Sequence, residues 1–459
     1  MVTETDWLIA LPKIPETTVN VVDFGAVGDG VAINTRAIQT AIDTCAKTGG
    51  GKVIIPPGTW MTGSITLRSH IELHAQAGAL VLFVKDFQAY PLVPAQYEGQ
   101  STIRCQAPIH ADHVQDVAIT GEGIFDGGGD AWRPVKKSKM TQNQWQQLVS
   151  QGGVVEEKEN EAIWWPTVSA MQGESRVEQL AKEGNGDPKD WEAIRDFLRP
   201  TLVRIQNCKR VVLDGSTFQN SPSWCLHFFR SEHITIREIT VRNPWYAQNG
   251  DGIDLESCTN VQVEDSSFDV GDDAICLKSG KNGSSKEIGQ PSAYIAIRGC
   301  TVFHGHGGFV IGSEMSGGIH DIHVSDCTFV GTDVGLRFKS ARGRGGVVER
   351  IFVDRIRMAD IVKEAISFHM FYDGTENTET PPTKSIAVSE ETPIFRDIVI
   401  RHVSCHGAKT AILINELPEA PITGLVMEDI IIQAQTGIVM NQGEQVTFNK
   451  VNILSTGTR

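Results

Sequence analysis

From about residue 211 onward the chain alternates apolar and polar positions in short runs, and one apolar-x-apolar triplet keeps returning. It is found at Val211/Leu213, Ile234/Ile236, Val261/Val263, Ile295/Ile297, Ile322/Val324, Ile351/Val353, Ile398/Ile400 and Leu425/Met427. Successive starts are 23, 27, 34, 27, 29, 47 and 27 residues apart. Each triplet is usually followed by a small or polar turn, a second short run, and a third such as "DGIDLES", "DAICLKS", "GFVIGS", "GLRFKS" or "AISFHM". Alternation with a period of two predicts strands. Units of roughly 20 to 35 residues, each holding two or three short strands and no helix, cannot bury a core alone and must stack. The pattern therefore predicts an all-β fold, a right-handed parallel β-helix. Propeller blades would be longer, at about 40 to 50 residues.

Residues 127–200 break this rhythm. "TQNQWQQLV" opens with a Thr141/Gln144 capping box, "SRVEQLAKEG" offers Ser175/Glu178 at its start and Gly184 at its end, and "DPKDWEAIRDFL" places Asp187 before Pro188. Three short helices are expected, inserted into the β-helix and not forming a separate domain. Residues 1–20 read as an N-terminal arm and 21–459 as one β-helix domain. The insertion holds Trp132, Trp145, Trp164, Trp165 and Trp191, five of the nine tryptophans. They are expected mainly to pack it onto the coils, with one or two facing a ligand.

Composition narrows the partners. A net charge of −15 argues against nucleic acid, whose phosphates need a basic face. It also opposes a polyanionic ligand unless cations are concentrated locally. There is no apolar run of the roughly 18 residues a membrane helix requires, so no membrane partner is expected. Nine scattered cysteines without CxxC suggest buried, reduced thiols. With an opening, "MVTETDWLIALPKIP", that lacks a basic region followed by an apolar core, they point to the cytoplasm. A secreted or periplasmic protein whose leader has been removed is the alternative.

Stacking the third runs in register gives two inward columns, Ile253, Ile275, Phe309, Leu336, Ile366 and Leu255, Leu277, Ile311, Phe338, Phe368. The outward columns then read Asp254, Cys276, Val310, Arg337, Ser367 and Glu256, Lys278, Gly312, Lys339, His369. Just before these strands stand Asp251, Asp272, Asp273 and, one coil on, His306. Coils in a parallel sheet lie about 4.8 Å apart, so these four converge although they span 56 positions. Clustered carboxylates push one another's pKa values apart, leaving one protonated beside others that are charged. Glycoside hydrolysis needs that division: an acid for the leaving oxygen and a base for water. Arg337 and Lys339 border the patch, and a guanidinium with an ammonium suits a sugar carboxylate.

At these residues the chain resembles the polygalacturonases, the family 28 glycoside hydrolases. The motifs are "NGDGID" at 249–254, "GDD" at 271–273, "GHGG" at 305–308 and "RFK" at 337–339; the N-terminal "DFGAVGDG" at 23–30 resembles the first coils of pectin-active β-helices. The resemblance implies hydrolysis of α-1,4-galacturonosidic bonds with inversion, on polygalacturonate or oligogalacturonides, without cofactor or metal. Asp272 would be the general acid, Asp251 and Asp273 would hold and deprotonate water, and His306 would keep the acid in its working state. Arg337 and Lys339 would bind a galacturonate carboxylate; Asn249 would orient its neighbours or substrate. "GSEMSGG" at 312–318 and "ARGRGG" at 341–346, with the insertion, resemble the bacterial exo-acting branch. An insertion beside an open groove can wall off one end, which suits attack from the non-reducing end. Lys278, Glu314, Arg342 and Arg344 are the further expected substrate contacts.

An endo-polygalacturonase or another pectin-active hydrolase is the nearer alternative, since the motif block appears in cutters of chain interiors and chain ends alike, and two further readings remain open at this point. A calcium-dependent pectate lyase would use Lys278 or Lys339 as a base beside the aspartates. A carbohydrate-binding or adhesive β-helix would do no chemistry at all.

Overall fold

A computed structural model describes residues 7–184, 186–281, 290–372, 384–442 and 445–455. The third runs form one parallel sheet of eleven strands, from Ile65–Thr66 to Thr436–Met440. The first and second runs form a parallel sheet of 22 strands. In the last four coils they fuse into the single long strands Val347–Ala359, Ile394–His406, Thr423–Ala434 and Val446–Ser455. The result is the expected right-handed parallel β-helix.

The register expected from the sequence is the register observed. Ile253 pairs Ile275, Ile275 pairs Phe309, Phe309 pairs Leu336 and Leu336 pairs Ile366; the Leu255 to Phe368 column is likewise aligned. Because like stacks on like, the core is a set of ladders: Phe338 lies flat on Phe368 with centroids 4.3 Å apart, and Phe125 on Phe218 at 5.4 Å. Every inward residue named is fully buried. The helix Thr35–Lys47 covers the first coil, burying Ile38, Ala41, Ile42 and Cys45. All nine cysteines are free and buried.

The insertion departs from expectation in three ways. Besides helices at Gln142–Ser150 and Val168–Glu183 it carries an antiparallel sheet of three strands, Val135–Lys136, Val154–Glu157 and Ala162–Trp165. The second helix starts earlier than its sequence suggested, because Thr167 accepts the Ala170 amide; Ser175 is interior, and its hydroxyl donates back to the Gln172 carbonyl. The third helix, Pro188–Ile194, is 3₁₀ in form, with Asp187 capping it as expected.

A second appendage, unforeseen, is the antiparallel hairpin Leu92–Tyr97/Gln100–Cys105. Its Ile103 and Cys105 share a small core with Trp132, Leu180, Trp191 and Leu198, so hairpin and insertion form one packed body. Trp132, Trp164, Trp165 and Trp191 are buried in that body and Trp145 is half-buried. None of these five lines the cavity described next.

Candidate active site

Turns preceding three successive strands of the eleven-stranded sheet bring the acids together. The Gly252 amide donates to the Asp273 carbonyl at 3.0 Å, and the His306 amide to the Asp272 carbonyl at 2.9 Å, so each turn rests on the next. Glycine permits this closeness. A Cβ at Gly271 would lie 2.6 Å from the carbonyl oxygens of Pro244 and Ala247; one at Gly307 would strike Val310 at 2.4 Å and crowd the gap between Asp273 and Arg337. Oxygens of Asp251, Asp272 and Asp273 lie within 4.8 Å of one another.

These carboxyls differ in their surroundings. Asp273 is buried, with Lys339 Nζ donating to Oδ2 at 2.7 Å and Arg337 Nη1 to Oδ1 at 3.1 Å. Burial works to raise its pKa, and the two cations overcome it, so the net shift is downward. Asp272 accepts from His306 Nδ1 at 3.1 Å; against burial, the His306 charge and hydrogen bond, helped by Lys339 and Arg337, hold it well below the usual carboxylate range. His306 moves the opposite way, raised by Asp272 in spite of burial. Among the described residues Asp251 has no cation in contact, and its buried Oδ1 has no hydrogen-bond partner. Burial, then Asp254 and Asp272, raise it well above the usual range. One carboxyl shifted upward and two shifted downward therefore share the patch, the division that acid–base work requires.

The patch opens into a cavity of about 780 Å³. Arg337, Lys339, Lys278, Glu314 and Asn249 all line it, as expected. The first two cations, however, are bonded to Asp273, and Asn249 Oδ1 accepts from Arg199 Nη2 at 2.9 Å. Lys278 Nζ lies 3.4 Å from Glu314 and 3.5 Å from the fully buried Asp254. Burial opposes its charge, yet Cys276, Glu314 and Asp254 raise its pKa well above that of a free lysine. Against the cost of burial, Asp273 likewise raises that of Lys339. Both ammoniums are thus shifted away from the neutral form that a lysine base would need. Glu314 is brought down to about 2, because Lys278 and Lys339 outweigh its burial.

Arg342 must be corrected. Its guanidinium grips Glu419 through two bonds of 2.6 and 2.9 Å and donates to the Lys384 carbonyl, which leaves it outside the cavity. Arg344 lines the cavity instead, with Nη2 3.5 Å from Ser313 Oγ.

Several lining residues escaped the sequence reading. Tyr372 places its ring 5.5 Å from the Arg337 guanidinium and 5.1 Å from Lys339 Nζ. Trp224, beneath Lys278 at 4.7 Å, stacks on Tyr97 of the hairpin, whose hydroxyl lies 2.8 Å from Ser223 Oγ. Glu98 at the hairpin tip, Lys136 and Lys139 of the insertion, Lys281, and the half-exposed Trp245 complete the walls. Trp245 and Tyr246 could have been noticed, lying just before "NGDGID"; Glu98 and Lys136 gave no signal, because only tertiary packing brings them there.

Residues 181–455 match the family described as "Glycosyl hydrolases family 28", well over half of the chain. The chain belongs to that family. It is a glycoside hydrolase, which disposes of the adhesive reading and of the lyase. Residues 18–80 also match "Rhamnogalacturonase A/epimerase, pectate lyase-like". A "Probable polygalacturonase" of Vitis vinifera is 28% identical over 90% of this chain and 74% of that protein. An "Exo-poly-alpha-D-galacturonosidase" of Dickeya chrysanthemi is 26% identical over 93% of this chain and 67% of its own length. Among solved structures, a hyperthermoactive exopolygalacturonase from Thermotoga maritima superimposes with a TM-score of 0.78 at 30% identity, covering 97% of this chain and 95% of that one.

Proposed function

We propose that this hydrolase is an exo-acting polygalacturonase that cleaves α-1,4-galacturonosidic bonds from the non-reducing end of polygalacturonate or oligogalacturonides. The observation that carries the reading is the acid cluster at the closed end of a cation-lined cavity. Upstream coils of the sheet are roofed: Arg204 Nη1 donates to the Gln96 carbonyl under the hairpin, His227 is fully buried, and the hairpin tip at Gly99 abuts Lys281 across the groove. Among the described residues the roofed side is that of the hairpin, so a chain entering from the side of Arg337 and Tyr372 brings its terminus against that wall.

In this reading Asp272 donates the proton to the leaving oxygen. Its lowered pKa is not at odds with that role, because the same contact raises His306, which can resupply the proton through their hydrogen bond. Transfer to the sugar oxygen draws that proton through Asp272, and His306 ends neutral. Asp273, ionised, takes a proton from the attacking water, while Asp251, protonated, fixes the water's position. Arg337 has guanidinium donors beyond Nη1 for a galacturonate carboxylate.

The nearest oxygens of the three carboxyls lie within 4.8 Å of one another, and a close pair of carboxylates is also the arrangement of a retaining mechanism. Water is nevertheless the better nucleophile here. Both oxygens of Asp273 are engaged by cations, and a protonated Asp251 attacks poorly. NMR of the first-formed product decides: the β-anomer marks inversion and the α-anomer retention. A product time course on polygalacturonate tests the exo mode, with monomer or dimer alone expected and a ladder of oligomers counting against it.

A further inference from the structure

The cations of the cavity fall into two groups. Arg337 and Lys339 bind Asp273, Lys278 lies between Asp254 and Glu314, and Arg344 leans on Ser313. Lys136, Lys139 and Lys281 also line the cavity, and none of them has a carboxylate within ion-pair distance among the described residues. On a chain of net charge −15, three unpaired ammoniums facing one space make a local field that favours an anion.

Their place in the fold says which anion. Lys136 follows Arg133, whose guanidinium donates to Asn220 Oδ1 at 2.8 Å, in the turn one coil before Asp251. Lys281 meets the hairpin tip, and that hairpin stacks Tyr97 on Trp224 of the same coil. Lys136 and Lys139 thus enter the cavity from the side of the coil before Asp251, about one coil spacing of roughly 5 Å upstream, and Lys281 enters it just past the strand Asp273–Lys278, beside the hairpin tip. Arg337 and Lys339 stand downstream, two coils beyond the strand Asp273–Lys278. A bound chain would present one sugar carboxylate to each group, on opposite sides of the bond to be cut.

We infer that Lys136 and Lys139, with Lys281 opposite, form a second carboxylate receptor that reads the terminal galacturonate, so that the enzyme selects chains ending in an acidic sugar over chains ending in a neutral one. The inference rests on the exo-acting reading above and adds the determinant of its terminal specificity. Both lysines come from the non-repeating insertion.

The test compares trigalacturonate with the same trimer carrying galactose at its non-reducing end. Charge-assisted contacts of this kind are expected to give the wild-type enzyme a preference of about 10- to 100-fold in kcat/KM for the acidic terminus. In K136Q/K139Q that preference should shrink to about threefold or less, through KM and not kcat, and K136R/K139R should restore it. Equal use of both trimers by the wild type, or a preference that survives intact in K136Q/K139Q, would overturn the inference. Failure of the wild type to cut trigalacturonate at all would instead overturn the exo-polygalacturonase reading beneath it.

Discussion

The solenoid and the body packed against it contribute to the same cavity in different ways. Asp251, Asp272, Asp273, His306, Arg337 and Lys339 all come from repeating coils, where strand pairing sets each position to within a fraction of a coil spacing. Glu98, Lys136 and Lys139 come from the hairpin and insertion, held by the small core around Trp132 and Trp191 and by the Tyr97–Trp224 stack. The reacting groups are placed by a ladder and the selective ones by packing. Damage to each should therefore show differently: loss of turnover in the first case, a change of product or substrate range in the second.

The largest effect expected is on chemistry. Asp272→Asn should lower kcat by three to five orders of magnitude with trigalacturonate binding retained by calorimetry, since it removes only the proton donor. Near-normal turnover would remove Asp272 from the mechanism. Next is the ladder itself. Phe338→Ala takes away a fully buried ring stacked on Phe368 between the strand residues Arg337 and Lys339. It should cost about 3–5 kcal/mol in denaturant unfolding and should also reduce kcat, because the two cations share its strand.

A smaller, qualitatively different effect is expected from Tyr97→Ala, which unstacks the hairpin from Trp224. Turnover should persist within about tenfold, while chromatography of digests should begin to show products longer than a dimer as the closed end loosens. An unchanged product range would mean that the insertion alone makes the wall.

The smallest effect is on stability against pH. Asp272 lowers its pKa and His306 raises its own by facing each other. The Asp272 share is present above its ordinary value of 3.8 and fades as pH falls through the depressed one. The His306 share is complete below 6.5 and is lost as pH rises through the elevated value. His306→Gln should therefore flatten the alkaline decline in melting temperature. It should also move the alkaline limb of kcat. A melting profile unchanged by that substitution would mean that the pair is not charged in the folded state.

How much of this could be read from the chain follows from the same division. The period of two places Ile275 inward and Cys276 outward, and the 22-residue offset that pairs Ile253 with Ile275 also aligns Asp251 with Asp273; both are local rules that carry across the whole fold. What those rules leave out is contact between non-repeating parts. Nothing near Arg342 announces that Glu419 will take its donors, nor does Ser175 reveal that Thr167 caps the helix first. The hairpin Leu92–Cys105 was missed because it lies before the clear repeats and obtains its core from the distant residues Leu180, Trp191 and Leu198.

The spacing of successive coils varies from 23 to 47 residues while the inward columns stay aligned. The strands on either side of the longest spacings stay paired in register, so the extra length does not disturb the stack. A duplicated coil spliced in after Thr410–Asn415 should accordingly lengthen the rod by about 4.8 Å and leave the six reacting side chains where they are. Growth by whole rungs at the far end is a route by which such a molecule can acquire new surface without retuning its chemistry.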